Sequence, residues 1–250
     1  MESVRKEWAR SFQQENAPNK EDILFSTTEN PVKIRLKKIF RGFFEKDGLI
    51  LDGGCSEGTW CYYLENRGFS TIGIDIVPDA ISRANRIGKQ TGIRAIFIVG
   101  DVTLLPFRDG VLRGYISLGV VEHFRFIEEV ERAFVEATRS LAPGARAFVA
   151  VHGPFVVLRN SLSLLITQGK IGYYHRYLSR GSIGKYLLSG SMRVVKSKYE
   201  RGWMGLSNLI DGIIKKVGSK RLRERSIVFW STRKPVWFFS GNYVWAQKRG

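Results

Sequence analysis

Short apolar segments alternate with helix-like segments between Leu49 and Val151, and this alternation restricts the possible folds more than any other feature of the sequence. The apolar segments have the length of buried strands and lack the polar alternation of half-exposed ones. They are Leu49–Leu51, Thr71–Ile74, Ala95–Val99, Tyr115–Leu118 and Ala147–Val151. Helical patterns separate them, for example at 79–91 and at 126–141, which Pro143-Gly144 closes. Five strand–helix units in succession predict an α/β fold, in which a doubly wound parallel sheet is covered by helices on both faces.

The length of 250 residues suits a single α/β domain with additions. The amphipathic stretch from Pro31 to Phe44 predicts a helix before the first strand, and Gly241-Asn242 is a turn signal between strand-like segments near the end. We therefore divide the chain into N-terminal helices at 1–45, a core at 46–154, a basic insertion over the active-site edge at 155–225 and a closing β-hairpin at 226–250.

Hydropathy and cysteine content indicate where the protein resides. The longest nearly apolar stretch, Ala147 to Leu158, is shorter than the roughly 20 residues that span a bilayer. The start of the chain is charged and lacks the apolar core of a secretory signal. Cys55 and Cys61 do not have the spacing of metal ligands, and the three histidines are scattered along the sequence. We expect a cytoplasmic protein with reduced thiols and no metal ion.

A glycine-rich turn follows the first predicted strand, in the sequence Leu-Ile-Leu-Asp-Gly-Gly-Cys-Ser-Glu-Gly from Leu49 to Gly58. Glycines let the backbone approach a ligand closely. Similar turns also hold dinucleotides or phosphates, but the Gly-x-Gly-x-x-Gly of nicotinamide-binding proteins does not fit positions 53–58, and the chain has no Gly-Lys-Ser/Thr. The residues around the turn must therefore indicate the ligand.

An aspartate ends each of the first three predicted strands, at Asp52, Asp75 and Asp101. The carboxyl ends of parallel strands meet at the ligand-binding edge of such a sheet. Beside the turn, Asp52 would repel a pyrophosphate and attract a ligand that carries an amino group and a sulfonium. Asp75 follows it by 23 residues, where a carboxylate accepts hydrogen bonds from ribose hydroxyls. The three acids predict a site for a cationic nucleoside.

The motifs together resemble those of the class I S-adenosylmethionine-dependent methyltransferases, particularly the small-molecule and lipid methyltransferases. The resemblance covers roughly residues 45–155, in the glycine-rich turn and in the segments Gly73–Ile76, Gly100–Phe107 and Ser117–Phe124. It implies S-adenosylmethionine as cofactor and a mostly parallel seven-stranded sheet with an antiparallel last strand, here with a helical insertion before the last two strands. Ser56 departs from the pattern, because many members have a second glycine there.

The resemblance also implies which residues contact the cofactor. Asp52, Gly53 and Gly54 would contact its methionine part, Asp75 its ribose, and Asp101 with Val102 its adenine. The neighbouring residues expected in the same site are Cys55, Gly58, Ile76 and Leu118.

Glu122 and His123 follow the fourth predicted strand and would face the same crevice. Methyl transfer needs a base only where the acceptor must lose a proton, and His123 is a candidate because its pKa lies near neutrality. Alternatively, the Glu122-His123 pair caps a helix or positions the cofactor. The fourth strand lacks the Asn/Asp-Pro-Pro-aromatic motif and the chain lacks Pro-Cys, which argues against enzymes that methylate adenine in DNA or C5 of cytosine in RNA. O-methylation, C-methylation and other N-methylation stay open.

Positive charge is concentrated in residues 155–250, which hold 19 of the 40 Lys and Arg but only three of the 23 acidic residues. Such charge attracts anionic partners over long distances. A basic amphipathic pattern favours an anionic, small-molecule or lipid-linked acceptor, with the protein peripheral at the inner face of the membrane. Its apolar residues are Leu206, Leu209, Ile210, Ile213, Ile214 and Val217, followed by Lys215, Lys216, Lys220, Arg221, Arg223 and Arg225.

Four alternatives remain open. RNA is a less favoured partner of the basic segment, whose aromatic residues Tyr173, Tyr174, Tyr177 and Trp203 are able to stack on bases, although no separate RNA-binding module is found. The amphipathic stripe also suits simple packing against the sheet. A non-catalytic, cofactor-binding or scaffold protein is the second functional class, and an aminopropyltransferase is less favoured because its acceptor pocket should be acidic.

Overall fold

The computed structural model describes residues 6, 8, 9, 31–154, 157, 158, 161, 174–201 and 239–249. Its centre is a seven-stranded sheet in the order β3-β2-β1-β4-β5-β7-β6. The strands are β1 (Leu49–Gly53), β2 (Ser70–Asp75), β3 (Ile96–Val99), β4 (Leu112–Leu118), β5 (Leu141–His152), β6 (Met192–Arg201) and β7 (Phe239–Lys248). The five strands expected from the apolar segments are all present.

Strands β1 to β5 run parallel to their neighbours, whereas β7 is antiparallel to both β5 and β6. This arrangement confirms the predicted doubly wound, mostly parallel sheet of seven strands. The strand order reverses at β1, which lies between β2 and β4. In open α/β sheets, ligands bind outside the carboxyl ends of the strands at such a reversal. The glycine-rich turn that leaves β1 therefore lies at the position where a ligand is expected.

Five α-helices accompany the strands within the described ranges of the chain: α1 (Pro31–Phe43), which precedes the sheet, α2 (Thr59–Glu65), α3 (Pro78–Thr91), α4 (Ile127–Ser140) and α5 (Arg180–Ser189). Local sequence explains the ends of α3, because Pro78 has the φ that a first turn needs and Gly92 takes the left-handed conformation after the last turn. At α4, the Glu129 carboxylate accepts a hydrogen bond from the Phe126 N–H (3.2 Å). These helices confirm the predicted ones at 79–91 and 126–141. None of the helices that the structure describes has the length and apolar character needed to cross a membrane.

One of the last two strands lies elsewhere in the chain than the sequence suggested. Strand β6 falls within 155–225, the predicted insertion, so that residues 192–201 belong to the sheet, whereas β7 lies within the predicted closing segment 226–250. The predicted turn at Gly241-Asn242 is wrong, because both residues lie within β7 and pair with β5. The Asn242 side-chain amide donates to the Leu178 carbonyl (2.7 Å), which fixes this polar residue in the strand. Strand-like segments 226–232 and 235–238 and the basic amphipathic stripe lie outside the described residues.

An aromatic cluster fills the space between the sheet and α1. Phe148, on β5, is fully buried and contacts Phe40, Tyr243 and Trp245, with ring centres 5.3, 5.6 and 5.1 Å apart. Edge-on contacts of this kind stabilise a core beyond the burial of area alone. The cluster joins α1 to β5 and β7, and so fixes β5, whose last residue is His152.

Replacement of Phe148 by alanine should lower the free energy of unfolding by about 3–5 kcal/mol, because it leaves a cavity among three other rings. Urea unfolding followed by tryptophan fluorescence measures the change. The matched control is Phe126→Ala, since the Phe126 side chain is largely exposed; it should change stability by no more than about 0.5 kcal/mol. Equal effects of the two substitutions would contradict this description of the core.

Candidate active site

The glycine-rich turn is held against the end of β2 by two backbone hydrogen bonds. Gly54 N–H and Cys55 N–H both donate to the Ile74 carbonyl, at 2.8 and 3.0 Å. Gly54 has φ +77°, and a Cβ there would lie 2.3 Å from Val120 Cγ2. Only glycine tolerates both the conformation and the contact. The turn therefore lies directly against the residues that follow β4.

Asp52 and Asp75 lie together at this turn, as the sequence predicted. Asp52 is buried, with the Cys61 thiol 3.9 Å from its carboxylate. Asp75 accepts hydrogen bonds from the backbone N–H groups of Ser56 (2.8 Å) and Val77 (3.0 Å). Burial, together with the negative charge of Asp75, raises the pKa of Asp52 to about 7. Burial also raises the pKa of Asp75 above its usual value, although three backbone hydrogen bonds partly oppose this.

Asp101 follows β3, the next strand of the sheet. Its carboxylate accepts hydrogen bonds from Thr103, from the backbone N–H and from the hydroxyl, both at 2.8 Å. The preceding Gly100 N–H donates to the Asp75 carbonyl (2.9 Å), so the two strand ends are adjacent. In the part of the chain that the structure describes, no salt bridge joins a basic residue to Asp52, Asp75 or Asp101. Carboxylates without a basic partner, beside a glycine-rich turn that lets a ligand approach the backbone closely, fit the binding of a cationic nucleoside.

The other residues expected at the cofactor lie around the same turn. Cys55, Gly58 and Val102 are buried, while Ile76 and Leu118 are half-buried. Cys55 and Cys61 are free cysteines. Burial and the nearby Asp52 raise the pKa of both thiols, which therefore stay protonated. They serve as small apolar side chains beneath the turn.

Glu122 is completely buried after β4, and its hydrogen-bond partner is His152 at the end of β5. One carboxylate oxygen, Oε1, accepts from the His152 backbone N–H (2.9 Å) and from its Nδ1–H (2.8 Å). Burial by itself raises the pKa of Glu122, but the hydrogen bond from His152 and the neighbouring imidazoles lower it below its usual value. Glu122 is therefore a carboxylate that orients His152. The structure thus pairs Glu122 with a histidine that sequence reasoning did not select.

His123 is buried next to this pair. Its Nδ1–H donates to the Tyr174 carbonyl (2.8 Å), and the Trp8 ring lies edge-on to it, with ring centres 4.7 Å apart. His175 is also buried, and its ring centre is 4.3 Å from that of His123 and 5.0 Å from that of His152. All three histidines of the chain, although scattered along the sequence, therefore form one cluster in the structure. The fold brings the turn after β4, the end of β5 and the segment before α5 together, and no local sequence motif indicates that they meet.

The histidine cluster and the glycine-rich turn are neighbours. Val120, which contacts Gly54, is two residues before Glu122. At Gly119, φ +71°, a Cβ would lie 3.5 Å from the His152 ring. One edge of the sheet thus carries an acidic half, at β1 to β3, and an imidazole half, at β4 and β5.

The strand order and this edge define the fold of the Rossmann-like methyltransferases. A solved structure described as a SAM-dependent methyltransferase from Methanosarcina mazei superposes with a TM-score of 0.62 at 19% sequence identity, over 84% of this chain and 97% of that one. Residues 51–149 match the family model described as "Methyltransferase domain". The match over residues 51–149 and the shared fold support the class I S-adenosylmethionine-dependent methyltransferase domain that the motifs predicted, and S-adenosylmethionine is the cofactor of this class.

Curated relatives resemble the same part of the chain. Norajmaline N-methyltransferase of Rauvolfia serpentina is 30% identical over 115 residues, which are 45% of this chain and 38% of that protein. Probable tRNA methyltransferase 9B of Mus musculus is 35% identical over 103 residues, which are 41% of this chain and 21% of that protein. The chain thus spans less than half the length of these relatives. Their names include both a small-molecule and a tRNA methyltransferase.

The buried Asp52 should make the stability of the cofactor-free protein depend on pH. Its folded pKa of about 7 exceeds the value of 3.8 for an exposed carboxyl, so its stabilising contribution is complete below pH 3.8 and is lost as the pH rises through 7. Asp52→Asn should therefore stabilise the protein relative to the wild type at pH 8, by a few kcal/mol at about 1.4 kcal/mol per pKa unit, and much less at pH 5. Urea unfolding at both pH values measures this difference.

The control for this experiment is Asp47→Asn, at an exposed acid just before β1. It should leave the pH dependence of the wild type unchanged. If Asp52→Asn shows the same loss of stability between pH 5 and pH 8 as the wild type, Asp52 does not titrate in this range.

Proposed function

We propose that the protein is an S-adenosylmethionine-dependent methyltransferase whose acceptor is an anionic small molecule or lipid-linked molecule. The observation that carries the proposal is the two-part edge of the sheet. Asp52 and Asp75 lie beside the glycine-rich turn, and the Glu122–His152 pair lies next to them, connected through Val120. A cofactor-binding half and a proton-accepting half thus share one crevice.

In this proposal, the acidic half holds the cofactor. Asp52, Gly53 and Gly54 hold the methionine part, Asp75 the ribose, and Asp101 with Val102 the adenine. S-adenosylmethionine supplies an electrophilic methyl group when bound. The buried carboxylates attract its positive charge, and the attraction is strong because little water screens them. A cation beside Asp52 also lowers the pKa of this carboxyl and stabilises its charged form.

The imidazole half accepts the proton of the methyl acceptor. His152 suits this role better than His123, because about one third of its side chain is exposed while His123 is buried. The Glu122 carboxylate holds the His152 ring in place through Nδ1, as a carboxylate behind a catalytic imidazole does. The other ring nitrogen, Nε2, is then the one that accepts a proton. This arrangement suits an acceptor hydroxyl that is methylated on oxygen.

The anionic character of the acceptor is inferred from the basic part of the chain. Strand β6 is the edge strand of the sheet, and its side chains Arg193, Lys196 and Lys198 are exposed or half-exposed. Charges on an edge strand also prevent pairing with other chains, so β6 has a structural reason for some of them. The excess of positive charge over residues 155–250 is larger than the protection of one edge strand requires. This charge would attract phosphate-bearing molecules. The proposal includes association with the inner, cytoplasmic face of an anionic membrane.

RNA is the second candidate acceptor, and two observations favour it. One relative is named as a probable tRNA methyltransferase. In addition, the Tyr174 ring lies beside two guanidinium groups, with Arg125 5.6 Å and Arg176 6.0 Å from its centre. An aromatic ring flanked by cations is a surface on which a nucleobase can stack. The acceptor experiment below therefore includes RNA.

Asp75→Asn should weaken the binding of S-adenosylmethionine about tenfold to 100-fold, since hydrogen bonds to a charged group contribute about 1.5–3 kcal/mol. Calorimetric titration with S-adenosylmethionine and S-adenosylhomocysteine measures the affinity. The matched control is Asp79→Asn, which removes the same charge from an exposed position on α3 and should leave binding unchanged. If the wild-type protein binds neither S-adenosylmethionine nor S-adenosylhomocysteine, the proposed function is refuted and a scaffold role is favoured.

The protein is incubated with a cell extract and with S-adenosylmethionine that carries a radioactive methyl group. The radioactive label should then appear in the lipid or small-molecule fraction of the extract. His152→Asn should reduce the rate of this transfer by about 10²-fold to 10⁴-fold, the range for loss of a general base. The calorimetric affinity for S-adenosylhomocysteine should stay the same. Label that enters only the RNA fraction, with binding that weakens steeply as salt increases, would replace the proposed acceptor by RNA.

A further inference from the structure

The three histidines form a group with the composition of a metal site. One nitrogen from each of His123, His152 and His175 lies within 4.8 Å of those of the other two. Three neutral imidazoles are the protein ligands of catalytic zinc in one common type of site. The rings come from three parts of the chain: the turn after β4, the end of β5 and the segment before α5. The fold, rather than a sequence motif, therefore brings them together.

Hydrogen bonds set which nitrogen of two rings carries the proton. His152 Nδ1 faces Glu122 Oε1, which also accepts from a backbone N–H and so acts as an acceptor. His123 Nδ1 faces the Tyr174 carbonyl, which can only accept. Both Nδ1 atoms are therefore protonated, and in the neutral rings Nε2 carries the lone pair. Metal-binding histidines show the same pattern, with the second nitrogen donating to a carboxylate or a carbonyl.

The spacing of the rings also agrees with a tetrahedral ion. With Zn–N bonds of about 2.0–2.1 Å, three imidazoles on one tetrahedral ion have ring centres about 5 Å apart. The observed separations are 4.3, 5.0 and 6.3 Å.

A buried carboxylate oxygen beside the cluster lacks a donor. Glu122 is fully buried, and its Oε2 has no hydrogen-bond partner among the residues that the structure describes. Burying a carboxylate oxygen without a donor is costly unless positive charge compensates it. A divalent ion held by His152, the direct partner of Glu122, would supply that charge.

We propose that His123, His152 and His175 bind a divalent transition-metal ion of the zinc type, with Glu122 and the Tyr174 carbonyl orienting two of the rings. Three protein ligands leave the fourth position of a tetrahedral ion open, as in catalytic zinc sites. The His152 side chain is partly exposed, which would let an oxygen ligand reach the ion from solvent. Binding of the ion does not depend on the identity of the acceptor. With the ion bound, Nε2 of His152 would be a ligand and would not accept a proton. An acceptor hydroxyl in the open position would have its pKa lowered by the ion and would lose its proton to water.

The experiment uses the full-length protein without a polyhistidine tag, after dialysis against a chelator. Calorimetric titration with Zn²⁺ should show one site per chain, and titration with Co²⁺ should give the visible absorption bands of a tetrahedral complex. His175→Asn should abolish the Co²⁺ bands. Glu122→Gln, which keeps all three ligands, should weaken Zn²⁺ binding about tenfold to 100-fold, the usual effect of removing an orienting partner.

A control variant, Cys55→Ala with Cys61→Ala, removes the only thiols of the chain and should leave Zn²⁺ binding unchanged. Because His175→Asn alters a buried residue, circular dichroism establishes that each variant is folded before titration. No Zn²⁺ or Co²⁺ binding by the folded wild-type protein, or binding that survives His175→Asn, would overturn the proposal. Failure of methyl transfer together with intact metal binding would contradict the proposed function and leave the metal site standing.

Discussion

Burying a carboxylate costs free energy unless nearby groups compensate it, and this chain buries two at one edge of its sheet. Glu122 is compensated by hydrogen bonds from His152, and its pKa is lowered. Asp52 has only a distant thiol, and its pKa is raised to about 7. The same edge thus holds one carboxylate whose Oε1 accepts two hydrogen bonds and one whose charge a cationic ligand would stabilise. The rest of the site is arranged around this difference.

The reversal of strand order at β1 is what makes the arrangement possible. Because β1 lies between β2 and β4, the turn after β1 meets Asp75 on one side and Val120 on the other. Gly54 permits the contact with Val120 because it has no Cβ. A larger residue there would separate the acidic half of the edge from the imidazole half. The tight packing of one glycine therefore connects the proposed cofactor and acceptor sites.

The histidine cluster gives the two proposals a common basis. His152 has the exposure and the oriented ring that a base needs, and together with His123 and His175 it has the composition of a zinc site. Both roles depend on Glu122, which holds the His152 ring from behind. A backbone hydrogen bond from Arg176 N–H to the Glu122 carbonyl (2.6 Å) joins the segment that carries His175 to the same turn. The segment before α5 is thus part of the site and not only a connection.

The sequence by itself determined the sheet and its acidic half. Buried strands, helix ends and a glycine-rich turn are local patterns, so the five parallel strands, the helices α3 and α4 and the positions of Asp52, Asp75 and Asp101 were predictable. The location of β6 was not predictable, because a strand with exposed Lys and Arg has no apolar run. Gly241-Asn242 belongs to β7 because these residues pair with both β5 and β6. The partner of Glu122 and the meeting of the three histidines were decided by tertiary structure. Glu122 and His152 are 30 positions apart in the chain, and His123 and Tyr174 are 51 positions apart. They become neighbours because β4, β5 and the segment before α5 meet at the same edge of the sheet.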